Sequence, residues 1–202
     1  MTGIKIVNLN NLIESIGEEK AKSILSNFSC PLNLDVESFL KFKSIEFAKQ
    51  GLAATHLVYK KYKKQPVLVG YFSLANKYIT VGKNKVSRTV GRRIAKFSVY
   101  NQYDNVYSMS APLIAQLGKN FTDGYNELIS GDELLELAIQ KVQHVQMDVG
   151  GKIAYVECED KPKLVEFYTR NGFIEFDKRN LDKDETELEG EYLIQLLRYI
   201  SK

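Results

Sequence analysis

The segment from Ser110 to Phe176 constrains the fold of this chain more strongly than any other part of it. Its first element is an apolar run, Ala111 to Leu117, which is typical of a buried strand and ends at Gly118-Lys119-Asn120. After a polar loop, Ser130-Gly131-Asp132 opens an amphipathic helix predicted over residues 133–146. A strand that leads into a helix N-terminus through exposed backbone can hold a phosphate group.

The rest of the segment continues the alternation of strand and helix. A β-rich run over residues 152–158 precedes a helix from Pro162 to Gly172, because proline is tolerated in the first helical turn. A strand over residues 173–177 follows, and the pattern predicts an α/β or α+β fold with helices on the faces of a sheet. The other predicted elements are helices over residues 12–28, 36–50 (N-capped by Asp35) and 86–97, hairpin strands over 53–59 and 66–74, an irregular stretch over 100–109 and a closing strand over 192–200.

Length and composition favour a globular protein. The chain has 202 residues, of which 44% are apolar, which is enough for one well-buried core or two small ones. Without a low-complexity linker or an internal repeat, we expect a single domain over residues 1–202. Two cysteines and two histidines lack the spacing of a metal site, so no metal is expected. The N-terminal residues resemble neither a signal peptide nor a membrane span, which predicts a cytoplasmic protein with no membrane partner.

The charges are segregated although the formal net charge is only +3. Residues 182–191 are strongly acidic and are predicted to form a surface loop. Residues 83–96 carry cations and no acid, and Arg88, Arg92 and Arg93 have near-helical spacing that suits contacts with phosphates of RNA. The alternative for the arginines is a solvated helix face.

Four parts of the sequence, taken in order, match one known pattern. They are Val69 to Leu74, Leu117-Gly118-Lys119-Asn120, Ile129 to Leu135 and Phe167-Tyr168-Thr169-Arg170-Asn171-Gly172-Phe173. In that order they resemble the second core strand, the end of the fourth strand, the junction of the pyrophosphate loop and its helix, and the FYxxxGF signature of the GNAT superfamily of acyl-CoA-dependent N-acetyltransferases. The resemblance implies a mixed central sheet with helices on both faces, a splayed pair of parallel strands and acetyl-CoA as co-substrate.

The pyrophosphate loop departs from the pattern of that family, which usually reads Q/R-x-x-G-x-G/A. Aligned through Gly131, the first position is Asn126 and the fourth is Ile129, so only the last glycine is retained. An ordinary helix cap is the alternative reading of Ser130-Gly131-Asp132. The residues that the resemblance assigns to acetyl-CoA binding are Leu117, Gly118, Lys119, Asn126, Ile129, Ser130, Gly131, Asp132 and Lys161.

Tyr168 is the residue that the resemblance assigns to catalysis, as the acid that protonates the departing thiolate of coenzyme A. Because Phe167 and Tyr168 are adjacent on the helix, they point to different sides of it. We expect Phe167 to pack in the core and Tyr168 to face away, towards the gap between the two parallel strands that precede these helices. Glu157 is the candidate general base, acting through water, although proximity of a bound neutral amine can replace a dedicated base. Tyr71 and Ser73 are candidates for substrate binding. Each of these residues has a structural role as its alternative.

The acetyl acceptor is expected to be a primary amine on a small molecule or a protein. In the N-terminal half, the helix from Phe39-Leu40 through Lys49-Gln50-Gly51-Leu52 is followed directly by Thr55-His56-Leu57-Val58 and then Val69-Gly70-Tyr71. This order resembles the toxin-type branch of the superfamily, whose members modify the amino group of aminoacyl-tRNA. This finer resemblance makes tRNA an alternative partner, bound through Arg88, Arg92 and Arg93. A non-catalytic acyl-CoA-binding module is a further alternative, because fold does not determine function. A homodimer is compatible with all of these readings.

Overall fold

The computed structural model describes residues 3–182, 188 and 190–200. The chain divides into two compact units, residues 1–75 with 114–139 and residues 76–113 with 140–202. A single domain over the whole chain stays a prediction. Most of the acidic stretch that was expected to be a surface loop lies outside the described residues, which omit 183–187 and 189.

The described helices and strands follow one another along the chain in this order. They are β1 (Ile4–Asn8), α1 (Leu9–Ile16), α2 (Glu18–Ser26), α3 (Leu34–Ser38), a π-helical segment (Phe39–Lys43), α4 (Ser44–Lys49), β2 (Ala54–Tyr62), β3 (Gln65–Gly82), α5 (Arg88–Ile94), β4 (Val99–Asn101), β5 (Val106–Lys119), a 3₁₀ segment (Thr122–Leu128), α6 (Gly131–Val149), β6 (Ile153–Glu159), α7 (Pro162–Arg170), β7 (Ile174–Asn180) and β8 (Tyr192–Tyr199).

The strands form a mixed sheet in the order β1-β2-β3-β5-β6-β8-β7, with β4 paired with β5. Strand β5 pairs in parallel with β6, where Leu113 lies opposite Tyr155, whereas β6–β8 and β7–β8 are antiparallel. Helices and a mixed sheet confirm the predicted α+β class.

The first unit begins with a strand that the sequence did not reveal. β1 pairs antiparallel with β2, from Ile4 opposite Lys60 to Asn8 opposite His56. The single helix expected over residues 12–28 is wrong, because Gly17 adopts φ 85° and separates α1 from α2. Both helices pack on the unit's core through Leu9 and Leu25, which are fully buried.

The helix predicted from Val36 to Gln50 is present but contains a π-helical segment over Phe39–Lys43. Asn33, not Asp35, is its N-cap, because the Asn33 side chain accepts a hydrogen bond from the backbone N–H of Val36. Val36 packs against the end of β5, where a Cβ atom on Gly118 would overlap the Val36 side chain. Only glycine therefore fits at that position.

Asn120 connects the end of β5 to two other parts of the first unit. Its side-chain oxygen accepts hydrogen bonds from the backbone of Ser29 (3.0 Å) and Thr122 (3.1 Å), and its amide nitrogen donates to Leu68 O (2.9 Å). The residue is buried, so water does not replace these bonds if they are lost. Asn120 therefore positions the start of the loop that leads to α6.

The second unit contains strands where the sequence predicted an irregular stretch. Residues 99–101 form β4, which pairs with the start of β5 from Val99 opposite Ser108 to Asn101 opposite Val106. The unit's core is formed by β3, α5, β5, β6, β7 and β8 through buried side chains such as Ile94, Tyr107, Tyr155 and Leu197. Helix α5 is shorter than expected and begins at the N-cap Ser87.

Replacing Asn120 by alanine should lower the free energy of unfolding by about 2–4 kcal/mol, because buried polar backbone groups lose their partners. Urea denaturation measures this change. The matched control is Asn11→Ala, since Asn11 is exposed on α1. An Asn120→Ala protein as stable as the control would show that the buried bonds are not required.

Candidate functional site

The first unit contains the loop that the resemblance assigns to pyrophosphate binding. It runs from the end of β5 to α6 and is formed largely by the 3₁₀ segment Thr122–Leu128. Asp123 (φ 50°) and Gly124 (φ 74°) interrupt the helical geometry and kink the segment. Ile129 then returns to an extended conformation and is buried, so its side chain belongs to the core.

Two lysines hold the carbonyl groups of this loop. Lys119 Nζ donates to the carbonyl oxygen of Asn126 at 3.0 Å, and Lys60 Nζ donates to that of Leu128 at 2.6 Å. Lys60 was not identified from the sequence, because it lies in β2, far from the loop along the chain. Both ammonium groups therefore have intramolecular partners and fix the path of the loop.

The N-terminus of α6 carries a capping box. The backbone N–H of Ser130 donates to Glu133 Oε2 (2.9 Å), and the backbone N–H of Glu133 donates to Ser130 Oγ (3.0 Å). The hydrogen bond from Ser130 lowers the pKa of Glu133, and the nearby charge of Lys60 lowers it further. Lys60 Nζ lies 3.6 Å from the Glu133 carboxylate.

A phosphate at the N-terminus of α6 would be attracted by the helix dipole and repelled by the carboxylate of Glu133. Helix α6 has 19 residues, so its N-terminus carries the positive end of a helix dipole. The Glu133 carboxylate opposes an anion there, whereas Lys60 offsets part of that charge. Ser130 and Asp132 are exposed, and Gly131 is half-buried. Acetyl-CoA binding by these residues stays a prediction, as it does for Leu117, Gly118, Lys119, Asn126 and Ile129.

Tyr71 and Ser73 lie in the interior of the first unit. Tyr71 is fully buried, and its hydroxyl donates to Val36 O at 2.6 Å. Ser73 is also fully buried, with its hydroxyl 3.3 Å from that of Thr55. These contacts give both side chains a structural role, and their part in substrate binding stays a prediction.

In the second unit, Tyr168 is a core residue. Its side chain is buried, whereas Phe167 is half-buried, so the expectation that Phe167 is the residue packed in the core is wrong. That Tyr168 faces the gap between the parallel strands stays a prediction. The Tyr168 ring contacts the rings of Phe167 and Phe173 edge to face, at centroid distances of 5.0 and 5.6 Å.

The backbone after Tyr168 explains the spacing of the FYxxxGF signature. The N–H of Phe173 donates to Tyr168 O (3.1 Å), and the N–H of Gly172 donates to Thr169 O (3.0 Å). Both bonds form a Schellman motif, which requires the left-handed conformation that Gly172 adopts (φ 80°). The motif turns the chain so that Phe173 packs back on Tyr168.

The Tyr168 hydroxyl is a protonated donor. Burial raises the pKa of Tyr168 well above its ordinary value, and the nearby Cys158 raises it further. Among the described residues, none accepts a hydrogen bond from this hydroxyl. Burial also raises the pKa of the Cys158 thiol to about 12, which keeps it protonated and unreactive.

Glu157 belongs to a buried polar network in the second unit. Its carboxylate accepts hydrogen bonds from Tyr155 (2.5 Å) and Lys77 (3.0 Å) and forms an ion pair with Arg179 (2.7 Å). Burial would raise the pKa of Glu157, but the bonds from Arg179 and Tyr155 and the charge of Lys77 lower it overall. An ionised carboxylate held by two cations is a weak proton acceptor, so the environment favours a structural role. The role of general base stays a prediction.

The remaining predicted residues of the second unit are on its surface. Lys161 is exposed at the N-cap of α7 and forms an ion pair with Glu159 at 3.2 Å. Arg88, Arg92 and Arg93 are exposed on α5, and the Arg93 guanidinium lies 4.9 Å from the centre of the Tyr199 ring. The sequence did not reveal Lys77 and Arg179 as partners of Glu157, because they come from distant strands.

Comparisons with known proteins give similarity in structure only. No protein-family model matches the sequence, and no curated protein matches it. A solved structure of a tyrosine-to-phenylalanine mutant of KacT is 16% identical and superposes with a TM-score of 0.61, covering 96% of this chain and 94% of that one.

Two further solved structures, of AtaT and of AtaTR, are also similar in fold to this chain. AtaT complexed with acetyl-methionyl-tRNAfMet is 15% identical, with a TM-score of 0.59 and coverage of 95% of this chain and 93% of that one. AtaTR bound with AcCoA is also 15% identical, with a TM-score of 0.55 and coverage of 96% and 93%. The fold expected from the toxin-type GNAT resemblance is confirmed.

Among the described residues, no group of three or more His, Cys, Asp or Glu side chains is placed to hold a metal ion. Within the same residues, no helix combines the length and apolar character needed to span a membrane.

Replacing Glu157 by glutamine should lower the free energy of unfolding at pH 7 by about 3 kcal/mol, because Lys77 and Arg179 lose their counter-charge. A carboxyl group with a lowered pKa stabilises the fold above its unfolded pKa of about 4.3, and this stabilisation is lost as the pH falls through the folded value. The difference between the two proteins should therefore stay constant above about pH 5 and shrink below it.

Urea denaturation over a pH series measures this difference. Glu166→Gln, on the exposed side of α7, is the matched control and should change stability little. A gap between the wild type and Glu157→Gln that does not respond to pH would contradict the ion-pair explanation.

Proposed function

We propose that this protein is an N-acetyltransferase that moves an acetyl group from acetyl-CoA to a primary amine. The observation that carries the proposal is Tyr168 within the FYxxxGF signature, because its side chain is buried and no described residue accepts a hydrogen bond from its hydroxyl. The fold shared with AtaTR, which was solved with AcCoA bound, supports the choice of donor.

The reaction needs few groups from the protein. The neutral amine attacks the thioester carbonyl, the carbon–sulfur bond breaks, and the thiolate of coenzyme A takes the proton of the Tyr168 hydroxyl. The amine releases its own proton to water, and the Tyr168 phenolate then regains a proton from solvent. The Tyr168 hydroxyl is protonated at neutral pH, so its proton is available when negative charge develops on the sulfur. This reaction does not require Glu157 as a base.

The acetyl-CoA pyrophosphate is proposed to bind at Ser130, Gly131 and Asp132. The loop before them has its carbonyl groups bound to Lys60 and Lys119, which supports a preformed rather than a mobile site. The start of a long helix supplies backbone N–H groups and a favourable dipole for a pyrophosphate.

The acceptor is proposed to be the amino group of an aminoacyl-tRNA, in the cytoplasm. AtaT, similar in fold over nearly its whole length, was solved with acetyl-methionyl-tRNAfMet, a tRNA whose amino acid carries an acetyl group. The exposed Arg88, Arg92 and Arg93 on α5 are proposed contacts for its phosphates. Small-molecule and protein amines are the competing acceptors, and a homodimer is compatible with all of them.

Tyr168→Phe should lower kcat by about 10²-fold or more, because the thiolate loses its proton donor, while the Kd for acetyl-CoA stays unchanged. Mass spectrometry of acetylated products, with methionyl-tRNA and a panel of free amines as acceptors, measures the change. The matched control is Tyr103→Phe, since Tyr103 is fully exposed. Equal turnover of the Tyr168→Phe and Tyr103→Phe proteins would remove Tyr168 from its role.

Glu133→Gln should strengthen acetyl-CoA binding by about threefold at low salt, because a negative charge is removed from the helix N-terminus while a capping-box side chain is retained. Isothermal titration measures the Kd, and Glu136→Gln, one turn further into α6, is the control. Weaker binding by Glu133→Gln would count against a pyrophosphate at this helix.

A further inference from the structure

The turn between β2 and β3 carries two lysines in a conformation that lysine does not favour. Tyr62 pairs with Gln65 across a two-residue turn, in which Lys63 has φ 47° and Lys64 has φ 69°. Such turns strongly prefer Asn-Gly or Asp-Gly, because a side chain with a Cβ atom is strained at positive φ. The geometry of the hairpin therefore does not account for the presence of lysine at positions 63 and 64. Residues with unfavourable backbone conformations are often found at functional sites.

Further lysines surround the same end of the hairpin. An open groove of about 380 Å³ is lined by Gly3, Ile4, Lys5, Tyr59, Lys60, Lys61, Lys64 and Pro66, with no acidic residue among them. Within the described part of the chain, Lys60 has Glu133 as an ionic partner, whereas Lys5, Lys61 and Lys64 form no salt bridge. The groove therefore carries an uncompensated positive charge that fits a polyanion.

An aromatic side chain accompanies these charges. Tyr62 is 37% exposed, and Lys63 Nζ lies 5.0 Å from the centre of its ring. The Tyr62 ring contacts that of Tyr125 edge to face, at 6.1 Å, which restricts its movement. Cations beside an exposed, supported ring match the chemistry of single-stranded nucleic acids, in which phosphates alternate with bases that stack.

We propose that this lysine-rich edge, formed by Lys5, Lys61, Lys63 and Lys64 with Tyr62, binds the phosphate backbone of single-stranded RNA. The choice of RNA rests on the proposed function, whose acceptor has a single-stranded end. The surface of the groove itself is mostly apolar, so an anionic lipid surface is the competing occupant, and the vesicle measurement below separates it from RNA. The surface is additional to the three arginines of α5.

The test is a double substitution that restores the preferred turn residues, Lys63→Asn with Lys64→Gly. It should raise the melting temperature, because strain at positive φ is relieved. It should also weaken binding of a fluorescent single-stranded RNA by about tenfold. The slope of log affinity against log salt should become shallower by about 1.4, because each of the two lost phosphate contacts contributes about 0.7. The matched control is Lys20→Ala with Lys43→Ala, which removes two exposed charges elsewhere in the first unit.

Fluorescence anisotropy over a salt titration gives both the RNA affinity and its salt dependence. Tyr62→Leu should weaken the binding of single-stranded RNA more than that of duplex RNA. RNA affinity that is unchanged in the turn variant, or reduced equally in the control, would overturn the proposal. So would binding of anionic vesicles or an acidic peptide in place of RNA. Acetyl-CoA binding by the wild-type protein, measured separately by thermal shift, tests the proposed function. A protein that binds RNA but not acetyl-CoA would contradict the proposed acetyltransferase activity and would still support the RNA-binding surface.

Discussion

Asn120 satisfies three backbone groups at the point where β5 ends and the loop toward α6 begins. Its bonds join β3, the segment after α2 and the loop, so that three distant parts of the chain meet at one buried amide. Gly118, two residues earlier, lets Val36 pack directly on the strand. The first unit depends on this junction, because the path of the loop and the start of α6 follow from where β5 stops.

Charged side chains hold the loop, the start of α6 and the buried Glu157 in place. Lys60 and Lys119 bind carbonyl groups of the loop, and Glu133 closes the capping box at the helix start. In the second unit, two cations hold Glu157 ionised, although burial alone would favour its neutral form. Tyr168 has no such counter-charge, and burial raises its pKa. At neutral pH Glu157 is therefore ionised and Tyr168 protonated, as their residue types ordinarily are.

Structures that are only 15–16% identical to this chain share its fold over nearly their whole length. Such a fold depends on a pattern of apolar residues and turns, in which many side chains can be exchanged if volume and periodicity are kept. Gly172 and Phe173, in the Schellman motif after Tyr168, tolerate fewer substitutions. Position 172 has a positive φ that favours glycine, and Phe173 packs on the tyrosine ring. Phe167, only half-buried, is less constrained.

The sequence by itself determined the order of strands and helices from Ala111 to Asp177, because helix and strand periodicity and the signals at Pro162 and Gly172 are local. It also indicated the fold through the FYxxxGF signature. Only the tertiary structure decided that β1 pairs with β2, that β4 replaces an irregular stretch, that Tyr168 rather than Phe167 is buried, and which cations hold Glu157. Those features arise between residues far apart along the chain, where packing and charge override local preference.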